Sequence, residues 1–170
     1  MSVVAEVRAP ARGAAVSFYW LIWLMPAAFA LHICEEWFGG FANWVTHVVG
    51  GEMSPSAFLV NNAGFMAVLV ALTTLAGATR KGWAVFLLVF WASANLFWDF
   101  LFHVFTVPLF DRYSPGLLTA TLLYFPISYV VARAALAERV LAPALFTLAC
   151  GLGAALMGFV IWAGLYHFAV

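Results

Sequence analysis

The sequence predicts an all-α integral membrane bundle of five transmembrane helices. Three observations carry this. The residues are 66% hydrophobic and only 8% charged, against roughly 25% charged in a soluble domain, so water cannot be the solvent for the whole surface. Five apolar runs each reach the ~20 residues that a hydrocarbon core demands of a helix. The few ionisable groups inside those runs gather at one depth. One bundle uses all 170 residues as a single domain.

The first span is read over about 17–38, where Pro26 removes a backbone donor and should kink the helix. Arg8 and Arg12, ahead of an apolar stretch ending in Ala28, Phe29 and Ala30, imitate a cleavable signal peptide; the stretch is read instead as the first membrane helix. Phe41, Trp44, Val45 and Val48 then fall on one face of a short helix bracketed by glycine pairs. It is too short to span, so it is placed flat in the interface as a flap over the bundle, an irregular loop being the alternative. The second span covers about 56–78, with Ser56 as its cap after Pro55. The third covers about 83–107 and is closed by Pro108. The fourth covers about 115–137, with Ser114 capping, Pro115 in the first position and Pro126 inside. The fifth covers about 143–168, and its Ala154 and Gly158 suit close backbone packing. Cys34 and Cys150 lie within apolar runs and read as small buried hydrophobes.

Basic residues give the orientation. Arg8, Arg12, Arg80, Lys81, Arg133 and Arg139 fall on one side, leaving Arg112 opposite. The positive-inside rule then sets the N-terminus in the cytoplasm and the C-terminus outside, as in a bacterial inner or plasma membrane. With zero net charge and no basic patch, nucleic-acid binding has no electrostatic footprint.

A charged side chain at a helix centre costs roughly 2.5–3.5 kcal/mol on insertion scales. Such residues persist where something compensates for them. The first span carries His32, Glu35 and Glu36 toward its outer end, the second enters with Asn61 and Asn62, and the third carries Asn95, Asp99 and His103. Tyr166 and His167 close the fifth at the same side. At about 100° per residue the two glutamates flank His32 within an arc of about 100°. Asn95, Asp99 and His103, spaced by four, form a stripe on the third span. If the two faces meet, two imidazoles and two or three carboxylates share one small volume, which is how helical bundles build metal sites. That donor set suits zinc first, with iron or manganese next. Taken singly, an intramembrane His or Asp is a packing residue or hydrogen-bond partner, and Asn61 and Asn62 could be polar glue. His47 and His167 read as ordinary interfacial histidines. Three ionisable groups in five membrane residues make a functional site the default for the His32 segment.

His32-Ile33-Cys34-Glu35-Glu36 reads H-x-x-E-E, and the chain resembles the HXXEE-domain membrane proteins named for that motif. The resemblance extends over most of the chain. It takes in an Asn of the second span, the Asn and His content of the third, and Tyr113-Ser114-Pro115-Gly116 opening the fourth. It implies a small multispanning membrane protein and supports the site without naming a reaction.

The residues themselves point to a metal-dependent hydrolase acting on a lipid or other apolar substrate. His32, His103 and either Glu36 or Asp99 would hold a divalent ion, zinc above all, with Glu35 as general base. Asn61, Asn62 or Asn95 would orient substrate or stabilise an oxyanion. Several alternatives stand beside this. A metal-free isomerase would use the same carboxylates as acid and base. A small hydrophobic-ligand site would use the same carboxylates and histidines, whereas an ion pathway would need polar residues along the whole depth, and the other half of the bundle offers only Thr73, Thr74, Ser93, Ser128 and Tyr129. An accessory subunit or homo-oligomer would use the eight Trp and seventeen Phe to cover a partner.

Overall fold

The computed structural model describes residues 17–166, with side chains described through Gly164. Arg8, Arg12 and His167 lie outside the described residues, and so does the side chain of Tyr166. Among the described residues the chain is helical, and five of its helices are long and apolar enough to cross a membrane. They are α1 (Phe18–Gly39), α3 (Pro55–Thr79), α4 (Gly82–Phe110), α5 (Leu117–Ala137) and α6 (Pro143–Tyr166). The short α2 covers residues 41–49. Large apolar side chains face outward, with Trp20 74% and Phe38 86% exposed. A surface of that kind is covered by lipid or by another apolar partner.

Each terminus has a local cause. The Glu138 carboxylate, at the far end of α5, accepts the Phe18 backbone N–H at 2.6 Å and the Ser17 hydroxyl at 3.2 Å. It thus satisfies donors that a helix start leaves open. Pro26 cannot donate to the Ile22 carbonyl, which takes Met25 N–H instead at 3.2 Å, and α1 is irregular at Ile22 and Trp23. Ser54, not Ser56, caps α3: its hydroxyl accepts Ala57 N–H at 3.1 Å and Pro55 takes the first helical position. Pro108 does not close α4, which runs on to Phe110. So near the end, a proline ring sacrifices one backbone bond and the helix tolerates it. Wider π-helical turns interrupt α4 over Ser93–Trp98 and α5 over Ala120–Tyr124, the latter just before Pro126.

The main core joins α1, α4 and α5 through Phe18, Ile22, Leu88, Leu96 and Tyr124. A smaller aromatic cluster lies under α2. Phe41 stacks on Trp44 with centroids 5.6 Å apart, and Trp44 meets Phe102 and Phe110 edge-on. The segment between the first two spans is therefore a helical cover packed on α3 and α4.

The close approach of α6 to α4 falls at Gly153, not at Gly158, around which a Cβ would meet only open space. A Cβ on residue 153 would lie 2.0 Å from Ser93 Oγ, 3.0 Å from Phe90 O and 3.1 Å from Ala94 N. Ser93 can turn away but the backbone atoms cannot. Gly153→Ala is expected to destabilise the bundle by about 1–3 kcal/mol, read as a lowered midpoint in thermal unfolding of the detergent-solubilised protein. Cys34 also departs from expectation: it is exposed on the outer face of α1, while Cys150 is partly buried.

Candidate metal centre

The chain direction alternates, so the C-terminal end of α1, the start of α3, the end of α4 and the start of α5 meet at one end of the bundle. His32 and Glu36, one turn apart on α1, face Asp99 and His103, one turn apart on α4. Both imidazoles are buried, and Glu36 is 5% exposed. His32, Asp99 and His103 each offer a ligand atom, all within 4.8 Å of one another. His32 Nε2 lies 3.2 Å from Asp99 Oδ2, and His103 Nε2 lies 3.8 Å from the same oxygen. Glu36 Oε1 sits 3.6 Å from His32 Nε2 and 3.5 Å from His103 Nε2.

These spacings have a simple geometric meaning. Four ligands at 2.0–2.1 Å around a tetrahedral ion are separated by roughly 3.3 Å. Despite such closeness, neither buried Nε2 atom makes a hydrogen bond. Buried nitrogens are normally satisfied; these converge on a common point with the carboxylates around them. The donor set and the orphaned nitrogens fit a divalent ion.

The opposite edge of each ring is held. Thr119 Oγ1 donates to Glu35 Oε2 at 2.5 Å and lies 2.9 Å from His32 Nδ1. The hydroxyl has one proton, and the carboxylate is its strongest acceptor. Its lone pair therefore accepts Nδ1–H, which leaves the Nε2 lone pair of His32 facing the cluster. Ser114 Oγ lies 2.8 Å from His103 Nδ1 and holds the edge of that ring. Such partners fix ring orientation and ligand basicity. Thr119→Val is expected to lower metal affinity about 10–100-fold with the fold retained, measured by competition against a chelator.

Glu35 occupies a different place from the general base expected of it. Its Oε1 accepts Gly116 N–H, Leu118 N–H and the Tyr113 hydroxyl, the last at 2.6 Å, while Oε2 accepts Thr119 N–H at 2.7 Å. Both oxygens are thus spent on the start of α5, where the open N–H groups and the helix dipole favour an anion. This is why Ser114 does not cap α5 and Pro115 precedes it: the cap arrives from α1. Partial burial, and then the bond to Glu35, push the Tyr113 phenol above its ordinary value of about 10, so it remains a donor at physiological pH.

Gly116 brings the backbone against the cluster. With φ +102°, it presents a face on which a Cβ would lie 2.7 Å from Cε1 of both His32 and His103. Behind it, Pro115 presses on Gly39 of α1. Tyr124 stacks on His32 with centroids 4.4 Å apart, and Phe41 of α2 covers His103 at 5.9 Å.

A family model described as "Protein of unknown function with HXXEE motif" matches residues 23–131. The chain belongs to the HXXEE family. The match includes both pairs of cluster residues and the whole 113–119 segment, and stops before α6. In this HXXEE protein the three motif residues do different things. His32 faces the cluster, Glu36 supplies it with a carboxylate, and Glu35 clamps the neighbouring helix. No curated protein and no solved structure matches the chain.

A cavity of about 420 Å³ opens beside the cluster and reaches His32, Glu36 and Asp99. Asn61, Asn62 and Asn95 all line it. Asn62 donates to Phe58 O at 3.0 Å and Asn95 to Trp91 O at 2.8 Å, each on its own helix. Asn95 lies within the π-helical turn of α4 and lines the same cavity as Asp99. His47 stays apart, exposed and within 3.0 Å of Asn43 O. Ser114, Gly116, Thr119 and Tyr124 were missed as site residues. The only signal for the first two was the Tyr113-Ser114-Pro115-Gly116 segment itself.

Proposed function

We propose that this HXXEE protein is a membrane-embedded, metal-dependent hydrolase acting on a lipid or other apolar substrate. The observation that carries this reading is the pair of buried Nε2 atoms that make no hydrogen bond and face Asp99 and Glu36. His32, Asp99 and His103 would hold the ion, and two nitrogens with one carboxylate oxygen would favour zinc over iron or manganese. Bound there, a divalent ion would supply Lewis-acid chemistry, activating a water and polarising a carbonyl.

The remaining steps belong to the side chains. Glu36, with Oε1 beside both Nε2 atoms, takes a proton from the attacking water. The water oxygen forms the new bond to the acyl carbon, and the bond to the leaving oxygen or nitrogen breaks. Glu36 returns the proton to that leaving atom. Asn62 and Asn95 orient the head of the substrate from the cavity wall. The aromatic cover of Phe41 and Trp44 keeps bulk water from the imidazoles.

Arg80, Lys81, Arg133 and Arg139 lie at the end of the bundle away from the cluster, so the positive-inside rule puts the site in the non-cytoplasmic half of a bacterial inner or plasma membrane. The test is hydrolysis of a long-chain p-nitrophenyl ester by the protein in lipid nanodiscs. Turnover that stops on chelation and returns with zinc supports the reading. Turnover indifferent to chelation, or none on any acyl ester or amide, overturns it.

A further inference from the structure

The cavity beside the cluster restricts what the site can accept. It is bounded by α1, α2, α3, α4 and α6 and has two kinds of lining. Polar lining comes from Glu36, Asp99, Asn62 and Asn95, and apolar lining includes Leu156 and Val160 of α6. Both α3 and α6 pack on α4, and residues of all three line the cavity.

Its charge is equally informative. Among the described residues, no Lys or Arg lines it. A divalent ion contributes +2, Asp99 and Glu36 contribute −1 each, and neutral imidazoles contribute nothing, so the loaded site sums to zero. An anionic head would be desolvated there with no surplus cation to meet it. The carboxamides of Asn62 and Asn95 spend one N–H each on their own helices. Each keeps an oxygen and a second N–H, which match a head that both donates and accepts. About 420 Å³ is toward the small end for ligand cavities and suits one chain with a compact head.

Resting on the hydrolase reading above, we infer that the substrate is an uncharged, single-chain acyl amide or acyl ester with a hydroxyl-bearing head. Its chain lies along α6 and its carbonyl lies beside Asp99.

Saturable binding of radiolabelled lipids to the zinc-loaded protein in nanodiscs tests this without requiring turnover. The probes are oleoylethanolamide and monooleoylglycerol, against oleoyl lysophosphatidic acid and dioleoylphosphatidylcholine. The neutral single-chain probes are expected to bind at least about tenfold tighter than the other two. Asn95→Leu and Val160→Trp should each weaken them about tenfold, with metal content unchanged as the check on folding. Equal or tighter binding of the anionic or two-chain lipid by the wild type overturns the inference, whatever the variants do. So does undiminished binding by both variants. Selective binding of the neutral probes without any hydrolysis would sink the hydrolase reading and leave the cavity assignment standing. Zinc-dependent hydrolysis with no such selectivity would do the reverse.

Discussion

Gly116→Ala is expected to abolish metal binding and to lower the unfolding midpoint sharply. Two independent costs fall on one methyl group. The backbone at φ +102° is a conformation that only glycine adopts freely, and an L side chain in the left-handed region costs roughly 1–2 kcal/mol. The added Cβ would also stand 2.7 Å from both imidazoles and 3.0 Å from Glu36 Cγ. Those rings cannot retreat, since Tyr124 and Phe41 pack on them and Thr119 and Ser114 hold their Nδ1 atoms. Overpacking in such a setting costs about 1–3 kcal/mol, for a combined loss of about 2–5 kcal/mol. Elemental analysis and thermal unfolding of the variant read both consequences. Wild-type metal content at an unchanged midpoint would mean that the 113–119 segment does not press on the imidazoles.

Glu36→Gln is the second large effect and separates chemistry from binding. The substitution keeps the volume and removes the charge and the basic oxygen. With His32, Asp99 and His103 intact, the metal should remain near one equivalent. Turnover of the ester probe should fall about 10²–10⁴-fold, the usual contribution of a positioned general base. Asp99→Asn should instead lose the metal together with the activity. If Glu36→Gln empties the site and Asp99→Asn does not, the roles of the two carboxylates are exchanged.

The five helices were legible in the sequence because lipid imposes a length and a composition that leave little freedom. The meeting of His32 with Asp99 and His103 was legible for a related reason: groups so costly in hydrocarbon seek one another. What the sequence hid was decided by hydrogen bonds rather than by polarity. Glu35 and Glu36 differ by 100° on one helix, and their separate fates depend on where the start of α5 arrives. The helix start itself was misplaced because a distant carboxylate, not the adjacent Ser114, satisfies its N–H groups. The π-helical turn over Ser93–Trp98 was also hidden, because an apolar helix gives almost no periodic signal to reveal such a turn. Gly153 and Gly158 look alike in sequence, and only the position of Ser93 and Phe90 on α4 distinguishes them. Thr119 is one hydroxyl among many until His32 and Glu35 are seen on either side of it.

Metal content of the detergent-purified protein bears most directly on the cluster, with wild type measured beside His32→Ala and His103→Ala. About one equivalent of zinc, or of iron or manganese, in the wild type and none in either variant is the expected result. Wild-type protein that is metal-free as purified and takes up no added zinc, iron or manganese would contradict it, leaving the two histidines and two carboxylates as a metal-free cluster.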